Sequence, residues 1–457
     1  MKIVFTTFFR ESMGGGAGRV AFEIAQTFAK NHEVLLICPG LKSSFKKVST
    51  NLKELRISSL CEEDVAIPSL KTQNLKLIFN SLSKFTPDVI HAHDFGPLSL
   101  IAQFWAVNQQ IPFVYTSHIL PKKTSRFLGE ASGFLGKIFD SNLFQKYFLD
   151  FFKGCDGLIA LNQVVKKDFA RFGFKENVFV IPNGRDLKAY QKQKATQINQ
   201  KIKKLTFIGH ICERKNQEYL LRVMKFLPKD YELNLVGKGL TPKNFQDLKQ
   251  KIEKMKLVNV YLLGAVPHWQ IPQILGQTHV FVSASKMEVH SLVVVEALAS
   301  GTPVIGLANE TIDELVDKQV GFRFAKKTHP QVFAQKIKEI CSLTPKDYQK
   351  LCLNAKKRVA HLDWSKVTQQ TVEVYRQLII LKKEQSQSQK EKHLKRLREI
   401  LEFLPELKIK TFLAEQIEKP LSKAKKGNHL FILALLFTFI GGFLFRLTGG
   451  LRRLKGE

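Results

Sequence analysis

The sequence predicts an α/β chain of two doubly wound halves, followed by a helical tail that carries a membrane segment. Three observations lead there: short apolar runs alternating with helical patterns as far as about residue 365, a polar stretch from Lys188 to Lys203 that splits the alternation into two series, and an uncharged run from Leu430 to Phe445. Short apolar runs bounded by turn residues suit strands buried on both faces of a parallel sheet, and alternation with helices is the signature of such sheets. At 457 residues the chain exceeds what one hydrophobic core organises, so two domains and an appendage are expected.

In the first half the expected strands run from about Lys2 to Phe8, Glu33 to Cys38, Leu52 to Ile57, Val89 to Ala92, Phe113 to Ser117, Gly157 to Ala160 and Val178 to Ile181. The opening Met1-Lys-Ile-Val-Phe reads as a strand and not as a signal peptide, because its apolar run breaks at Arg10-Glu11 with no small-residue cleavage site after it. Met13-Gly14-Gly15-Gly16-Ala17-Gly18-Arg19 then turns the chain into a helix containing Val20, Phe22, Ile24 and Ala25. Glycines at a strand-to-helix turn let the backbone approach a phosphate, although such a turn is often only tight. Pro182-Asn183-Gly184-Arg185-Asp186 breaks the pattern and closes a first domain at 1–187. Residues 188–203 have little to bury and read as a linker.

The second series comprises Leu205 to Ile208, Tyr231 to Val236, Val258 to Leu263, Val280 to Ser283 and Pro303 to Gly306, giving a domain at 204–365. Two Rossmann-like halves facing a cleft account for this pattern. Residues 382–427 are rich in Lys, Arg, Glu and Gln, with too few large apolar residues for a third core, and read as a basic helical or flexible tail. The run within 428–447, as a helix rising about 1.5 Å per residue, reaches about 24 Å against a hydrocarbon core of about 30 Å. Asn428, His429 and a snorkelling Arg446 extend it, so it reads as a transmembrane helix, with an interfacial or re-entrant helix as the alternative. Basic residues on both flanks leave its orientation open.

The formal charge of +31 and a pI near 9.8 imply attraction to polyanions, either anionic membrane lipids or nucleic acid. No zinc-finger or other nucleic-acid signature is present, and nucleic acid is not an expected partner. The six cysteines lack C-x-x-C spacing or a His cluster, which indicates reduced thiols and neither a disulfide framework nor a zinc site.

The most informative segment runs from Ser285 to Ile305. An apolar strand, His279 to Ser283, leads through a loop to a helix from about Leu292 to Ser300, with Gly301 as its stop. Amides at such a helix start, with the positive end of the helix dipole, favour a phosphate. Glu288 precedes the helix and Glu296 lies on it. Beside an anion site they suit hydrogen bonds from sugar hydroxyls; on the residues alone, a solvated loop glutamate and a surface helix glutamate stand equally well. His91, His93 and Asp94, and Tyr115-Thr-Ser-His118, end parallel strands with polar groups where open sheets bind ligands.

Glu288 and Glu296 have the E-x7-E spacing, and this segment resembles that of the retaining GT-B glycosyltransferases of family 4 (glycosyl transferases group 1). That family includes phosphatidylinositol mannosyltransferase and diacylglycerol glucosyltransferases. The resemblance implies that Glu288 contacts hexose hydroxyls and Glu296 the ribose, with the backbone at His290, Ser291 and Leu292 holding phosphate. Where many members have Gly-Phe-Gly, this chain has Val289-His290-Ser291. Gly209 to Lys215 resembles the G-R-x-x-x-x-K-G segment, whose Arg and Lys clamp the diphosphate. Lys215 matches the Lys, His210 takes the place of the Arg, and Arg214 compensates. Gly237 and Lys238 match the V-G-x-G loop, and Gly264 to Pro267, with Val266, the segment whose backbone reads the base. Asn183 and Gly184 match the P-N-G-[VI]-D hinge, with Arg185 in place of an apolar residue. By the same resemblance Gly15 and Gly16 close over the donor diphosphate, Arg10 contacts acceptor or phosphate, His118 of the T-x-H pattern lies near the transferred sugar, and His93 helps hold the loops. A crossover helix at 366–381, beginning near Trp364, returns the chain to the first domain.

The catalytic set expected is therefore His118, Lys215 and Glu288, with no metal and no cofactor, a UDP- or GDP-sugar as donor, and retention without a carboxylate nucleophile. Lys122, Lys123 and Arg126 beside a segment rich in Phe127, Phe134, Phe139, Phe144, Phe148, Phe151 and Phe152 suggest an interfacial surface, although such sequence is more often core. With the apolar tail this points to a lipid or lipid-linked acceptor at the cytoplasmic face of the membrane. A tethered enzyme with a soluble polysaccharide or capsule acceptor, and a non-catalytic scaffold, are the alternatives.

Overall fold

The computed structural model of the chain describes residues 1–10, 15–62, 65–119 and 142–384. They form two compact units, one holding the described residues up to Ile181 together with those from Thr368 on, the other Pro182–Val367.

The first unit is organised by β1 (Lys2–Thr6), β2 (Glu33–Gly40), β3 (Ser44–Lys47), β4 (Leu52–Glu62), β5 (Val65–Pro68), β6 (Val89–Ala92), β7 (Phe113–Ser117), β8 (Gly157–Ala160) and β9 (Val178–Val180). They make one sheet in the order β3-β4-β2-β1-β6-β7-β8-β9, with β5 also on β4. Every pairing from β4 to β9 is parallel, and only β3 and β5 run antiparallel to β4. The central strands β6, β7 and β8 are buried along their whole length, as their unbroken apolar runs require. Strand order reverses between β1 and β6, and their C-terminal ends open a crevice beyond Thr6 and Ala92.

The second unit holds β10 (Lys203–Ile208), β11 (Tyr231–Val236), β12 (Val260–Gly264), β13 (Val280–Ser283), β14 (Val304–Leu307) and β15 (Gly321–Phe324). All are parallel, in the order β12-β11-β10-β13-β14-β15, with the reversal between β10 and β13.

Three strands were not expected from the sequence pattern. β3 is exposed at all four positions and has no alternation to betray it. β5 lies in a short apolar stretch that pairs only as the return of a hairpin with β4. β15, Gly-Phe-Arg-Phe, does alternate, and Phe324 turns into the core against Phe333.

Residues 188–203, expected to be a linker, pack with the second unit. Lys188–Gln191 is a short helix, Tyr190 and Ile198 are buried, and Ile198 joins the core around Leu205 and Leu233. Lysines dominate the composition of that stretch and hide the two apolar anchors. The helix Trp364–Glu384 begins in the second unit and continues in the first from Thr368. There Tyr375 and Leu378 are buried, and Leu378 lies so close to β8 that a Cβ on Gly157 would come 2.5 Å from its Cδ1.

Phe148, Phe151 and Phe152, offered above as interfacial surface, are core residues packed on Tyr115, Phe113 and Phe169. They lie on the helix Asn142–Lys153, where helical spacing turns them toward β7. Lys122, Lys123, Arg126, Phe127, Phe134 and Phe139 fall outside the described residues, as do 385–427 and the run 428–447 expected to be a membrane segment. Among the described residues no helix is long and apolar enough to cross a membrane. Cys38, Cys155, Cys212, Cys341 and Cys352 are free thiols.

Candidate active site

The second unit gathers the expected donor-site residues at the C-terminal ends of its strands, the ligand-binding edge of an open parallel sheet. Three backbone hydrogen bonds tie the loops after β10, β11 and β12: Gly209 N to Val236 O (2.9 Å), Ile211 N to Lys238 O (2.8 Å) and Gly237 N to Gly264 O (2.7 Å). His210, Gly237, Lys238 and, two residues beyond Gly264, Val266 thus stand on neighbouring loops. Gly237 has φ +143°, and a Cβ there would meet Gly209 O at 2.0 Å. Gly237→Ala is therefore expected to destabilise the unit by about 1–3 kcal/mol and to weaken nucleotide binding, measured by thermal unfolding and by calorimetric titration with UDP and GDP.

Glu213–Lys215 form one 3-10 turn, ended by Asn216 at φ 55°. This turn is strapped to the loop after β13. Asn216 Nδ2 donates to Ala284 O (3.2 Å), Lys286 N to Arg214 O (2.8 Å) and Arg214 Nη1 to Met287 O (3.0 Å). The straps place the Lys215 ammonium in an ion pair with Glu288, whose Oε2 lies 3.6 Å from Arg214 Nη1. Burial alone would raise the Glu288 pKa; the Lys215 and Arg214 charges, with hydrogen bonds from Lys215 and Ser285, outweigh it and hold the carboxyl below its ordinary value.

The backbone of the same loop is pinned from the helix Glu310–Leu315: Glu310 Oε2 accepts from Glu288 N (3.0 Å) and Thr311 Oγ1 from Ser291 N (2.8 Å). Next comes the helix Leu292–Ala299, whose cap residue Ser291 makes no side-chain hydrogen bond to it. Its first amides are left without a side-chain cap, as an anion site needs. His290 is buried with both ring nitrogens unpartnered among the described residues, and burial, with the His361 charge, pulls its pKa to about 4.

Glu296 sits one helical stretch deeper and is not a surface residue. It is 2% exposed, and its Oε1 lies 2.7 Å from Arg185 Nη2 and 3.4 Å from His268 Nε2. Tyr190 closes the cluster, its hydroxyl 3.0 Å from His268 Nε2 and 3.4 Å from Arg185 Nη2. Arg185 is itself among the largest fully buried side chains of the chain. Each of the two carboxylates thus has its own cation, which is how a pair of glutamates coexists here without sugar hydroxyls. Arg185, Tyr190 and His268 had no part in the expected site. The one signal for them was the charged residue at the apolar position of Pro182-Asn183-Gly184-Arg185-Asp186.

On the first unit, Gly15 and Gly16 open the helix Gly15–Phe28, and Arg10 is half-buried. His93 and His118 follow β6 and β7 and are joined by a 3.0 Å hydrogen bond between His93 Nδ1 and His118 Nε2. Asp94 accepts from Phe8 N (2.6 Å), Gly96 N (2.8 Å) and Ser99 Oγ (2.9 Å), fastening the loop after β1 to the loop after β6. Burial pushes its carboxyl up to about 6 against those hydrogen bonds. His91 and Tyr375, described below, complete this group and were not foreseen as a unit. Arg10, Gly15, Gly16, His93 and His118 therefore belong to the first unit and the remaining expected residues to the second.

Comparison with known proteins bears on this arrangement. Residues 14–189 match the model of Glycosyltransferase Family 4, and residues 189–358 that of Glycosyl transferases group 1. The chain is 25% identical over 248 residues to an alpha-monoglucosyldiacylglycerol synthase of Streptococcus pneumoniae, a match covering 51% of this chain and 55% of that protein. It is 24% identical over 318 residues to an alpha-monoglucosyldiacylglycerol synthase of Acholeplasma laidlawii, covering 63% of this chain and 75% of that protein. Among solved structures, Anabaena Alr3699/HepE in complex with UDP and glucose superposes with a TM-score of 0.63 at 20% identity, covering 82% of this chain and 98% of that one. That likeness establishes the fold. With both halves of the family matched in order along two Rossmann-like units, the chain belongs to the GT-B glycosyltransferases of family 4, and it is an enzyme.

Proposed function

We propose that this glycosyltransferase moves a hexose from a UDP- or GDP-sugar to a lipid or lipid-linked acceptor at the cytoplasmic membrane face, with retention and without a metal. The observation that carries the reading is the Glu288–Lys215–Arg214 group at the reversal between β10 and β13, beside a helix start without a side-chain cap. In this reading Lys215 and Arg214 offset the diphosphate charge as the bond from the anomeric carbon to the phosphate oxygen breaks. Glu288 accepts hydrogen bonds from hexose hydroxyls. The acceptor oxygen bonds to the anomeric carbon on the same face, and its proton passes to the departing diphosphate. In this reading His118 and Arg10 are the acceptor contacts, and Gly15 and Gly16 add to the donor contacts.

The lipid acceptor is supported by the names of the two synthases above and by the apolar run in 428–447. A further support is the edge strand β3 and its flanks, where Leu41 and Phe45 are 72% and 56% exposed among exposed Lys42, Lys46 and Lys47. Apolar tips ringed by lysine suit an anionic lipid surface. The test is incubation of the full chain in membranes with radiolabelled UDP- and GDP-hexoses. Label in the lipid extract is the expected result, and label confined to a water-soluble glycan would reject the lipid acceptor. Proton NMR of the anomeric centre in the product decides between retention and inversion, and full activity after chelation is expected.

A further inference from the structure

The first unit contains an ordered stack of three histidines. The His91 and His93 rings stack with centroids 4.5 Å apart, and His93 and His118 with centroids 5.3 Å apart. One end is fixed from two sides. His91 Nδ1 meets Tyr375 OH at 2.5 Å, delivered by the helix Trp364–Glu384, and its Nε2 meets Thr116 Oγ1 on β7 at 2.7 Å. Phe5 of β1 walls the stack, its ring 5.5 Å from His91 and 5.7 Å from His93.

His93 is the middle member and is 3% exposed. Its Nδ1 is paired with His118 Nε2, while its Nε2 is buried and has no partner among the described residues. A neutral imidazole carries one proton. Burial keeps both inner rings neutral, His91 with a pKa of about 3 and His93 well below its ordinary 6.5. A proton on His93 Nε2 would be a buried N–H without an acceptor, a defect that folded proteins rarely contain. A bare Nε2 leaves only an unfilled lone pair, which is tolerated more often. The proton therefore belongs on Nδ1, where His118 Nε2 accepts it.

We propose that His93 is a positioning residue that donates its Nδ1–H to His118 Nε2, so that His118 carries its own proton on Nδ1 and acts on the sugar or acceptor as a hydrogen-bond donor and not as a base. In this arrangement His118 Nε2 is already engaged, and the acceptor's proton goes elsewhere, to the diphosphate. Protonating His118 on Nε2 would oppose two N–H groups across 3.0 Å unless His93 moved its proton to the side with no acceptor. The inference rests on the placement of His118 at the acceptor proposed above.

The test uses the full chain labelled with 15N-histidine, with His118 and His93 assigned by the loss of signals in His118→Gln and His93→Gln. Long-range 1H–15N spectra of the unsubstituted protein are expected to show the Nδ1–H tautomer for both rings; an Nε2–H tautomer at His118 would overturn the proposal, whether or not transfer has been detected. His93→Asn, whose amide can donate from the place of Nδ1, is expected to keep most of kcat. His93→Phe, which cannot, is expected to lower kcat by about ten- to a hundredfold with little change in donor KM. Equal activity in these two variants would also overturn it. If the tautomers are as stated but no donor sugar is turned over, it is the functional reading and not the hydrogen bond that fails.

Discussion

Lys215→Ala is expected to lower glycosyl transfer by about two to three orders of magnitude while the second unit stays folded. The Lys215 side chain is 12% exposed and faces Glu288 with Arg214 as its neighbour, so the variant loses one of the two cations proposed to offset the charge of the leaving diphosphate. Arg214, 3.6 Å from Glu288, keeps the carboxylate from being left without a counter-charge. Glu288→Ala is expected to cost a similar factor by removing the hexose contact. Initial rates with saturating donor, alongside circular dichroism, check both, and turnover within about threefold of the unsubstituted enzyme would remove this pair from the mechanism.

The same pair has a pH signature. Burial opposes ionisation of Glu288, but the cations win and its folded pKa lies below the ordinary 4.5. The stabilisation is therefore complete above that ordinary value and is lost as pH falls through the depressed folded value. In Lys215→Ala the folded pKa is expected to rise, and the contribution of Glu288 to stability shrinks accordingly. Acid-unfolding midpoints of the two proteins measure the difference, with the variant unfolding at the higher pH.

The second large effect is expected at Arg185. Arg185→Leu leaves the Glu296 carboxylate at 3% side-chain exposure without its guanidinium, beside neutral or weakly charged neighbours such as His268, 3.4 Å away, and the Tyr190 hydroxyl. Breaking a buried pair on one side typically costs about 3–5 kcal/mol, because water cannot replace the lost partner. Arg185→Leu combined with Glu296→Gln is expected to recover part of that loss, since no uncompensated charge then remains. Urea unfolding of the three proteins gives the cycle. A single variant within about 1 kcal/mol of the parent would mean that Glu296 is not held by Arg185.

These two sites differ in how far they could be read from sequence. Glu288 and Lys215 were singled out by the resemblance of their segments to the E-x7-E and G-R-x-x-x-x-K-G patterns, whereas spacing and local propensity sufficed to locate the strands Tyr231–Val236 and Val280–Ser283 to the residue. Arg185 could not, because its partner is more than a hundred positions away and its burial is decided by Tyr190, Glu296 and His268 together. Tyr190 was concealed by its lysine-rich neighbours, and the Phe148–Phe152 group was ambiguous because a basic, phenylalanine-rich helix has the same composition in a core as at a membrane. The histidine stack was half visible. His91, His93 and His118 end two strands that a parallel sheet must bring side by side, but their tie to Tyr375 depends on a helix contributed from far along the chain.

That helix, Trp364–Glu384, decides where the gene can be cut and rejoined. Because Val372, Tyr375 and Leu378 fill the interior of the first unit, the coding segment for that unit is not contiguous, and a truncated chain ending at Ile181 would leave its hydrophobic core open. A chimera that borrows another relative's donor half must splice at two places, before Pro182 and after Val367, and must retain the native sequence from Thr368 onward. Evolutionary exchange of donor specificity faces the same requirement. A single crossover would import a foreign helix in place of the residue that anchors His91, whereas a double crossover replaces the sugar-nucleotide module and leaves the histidine array undisturbed.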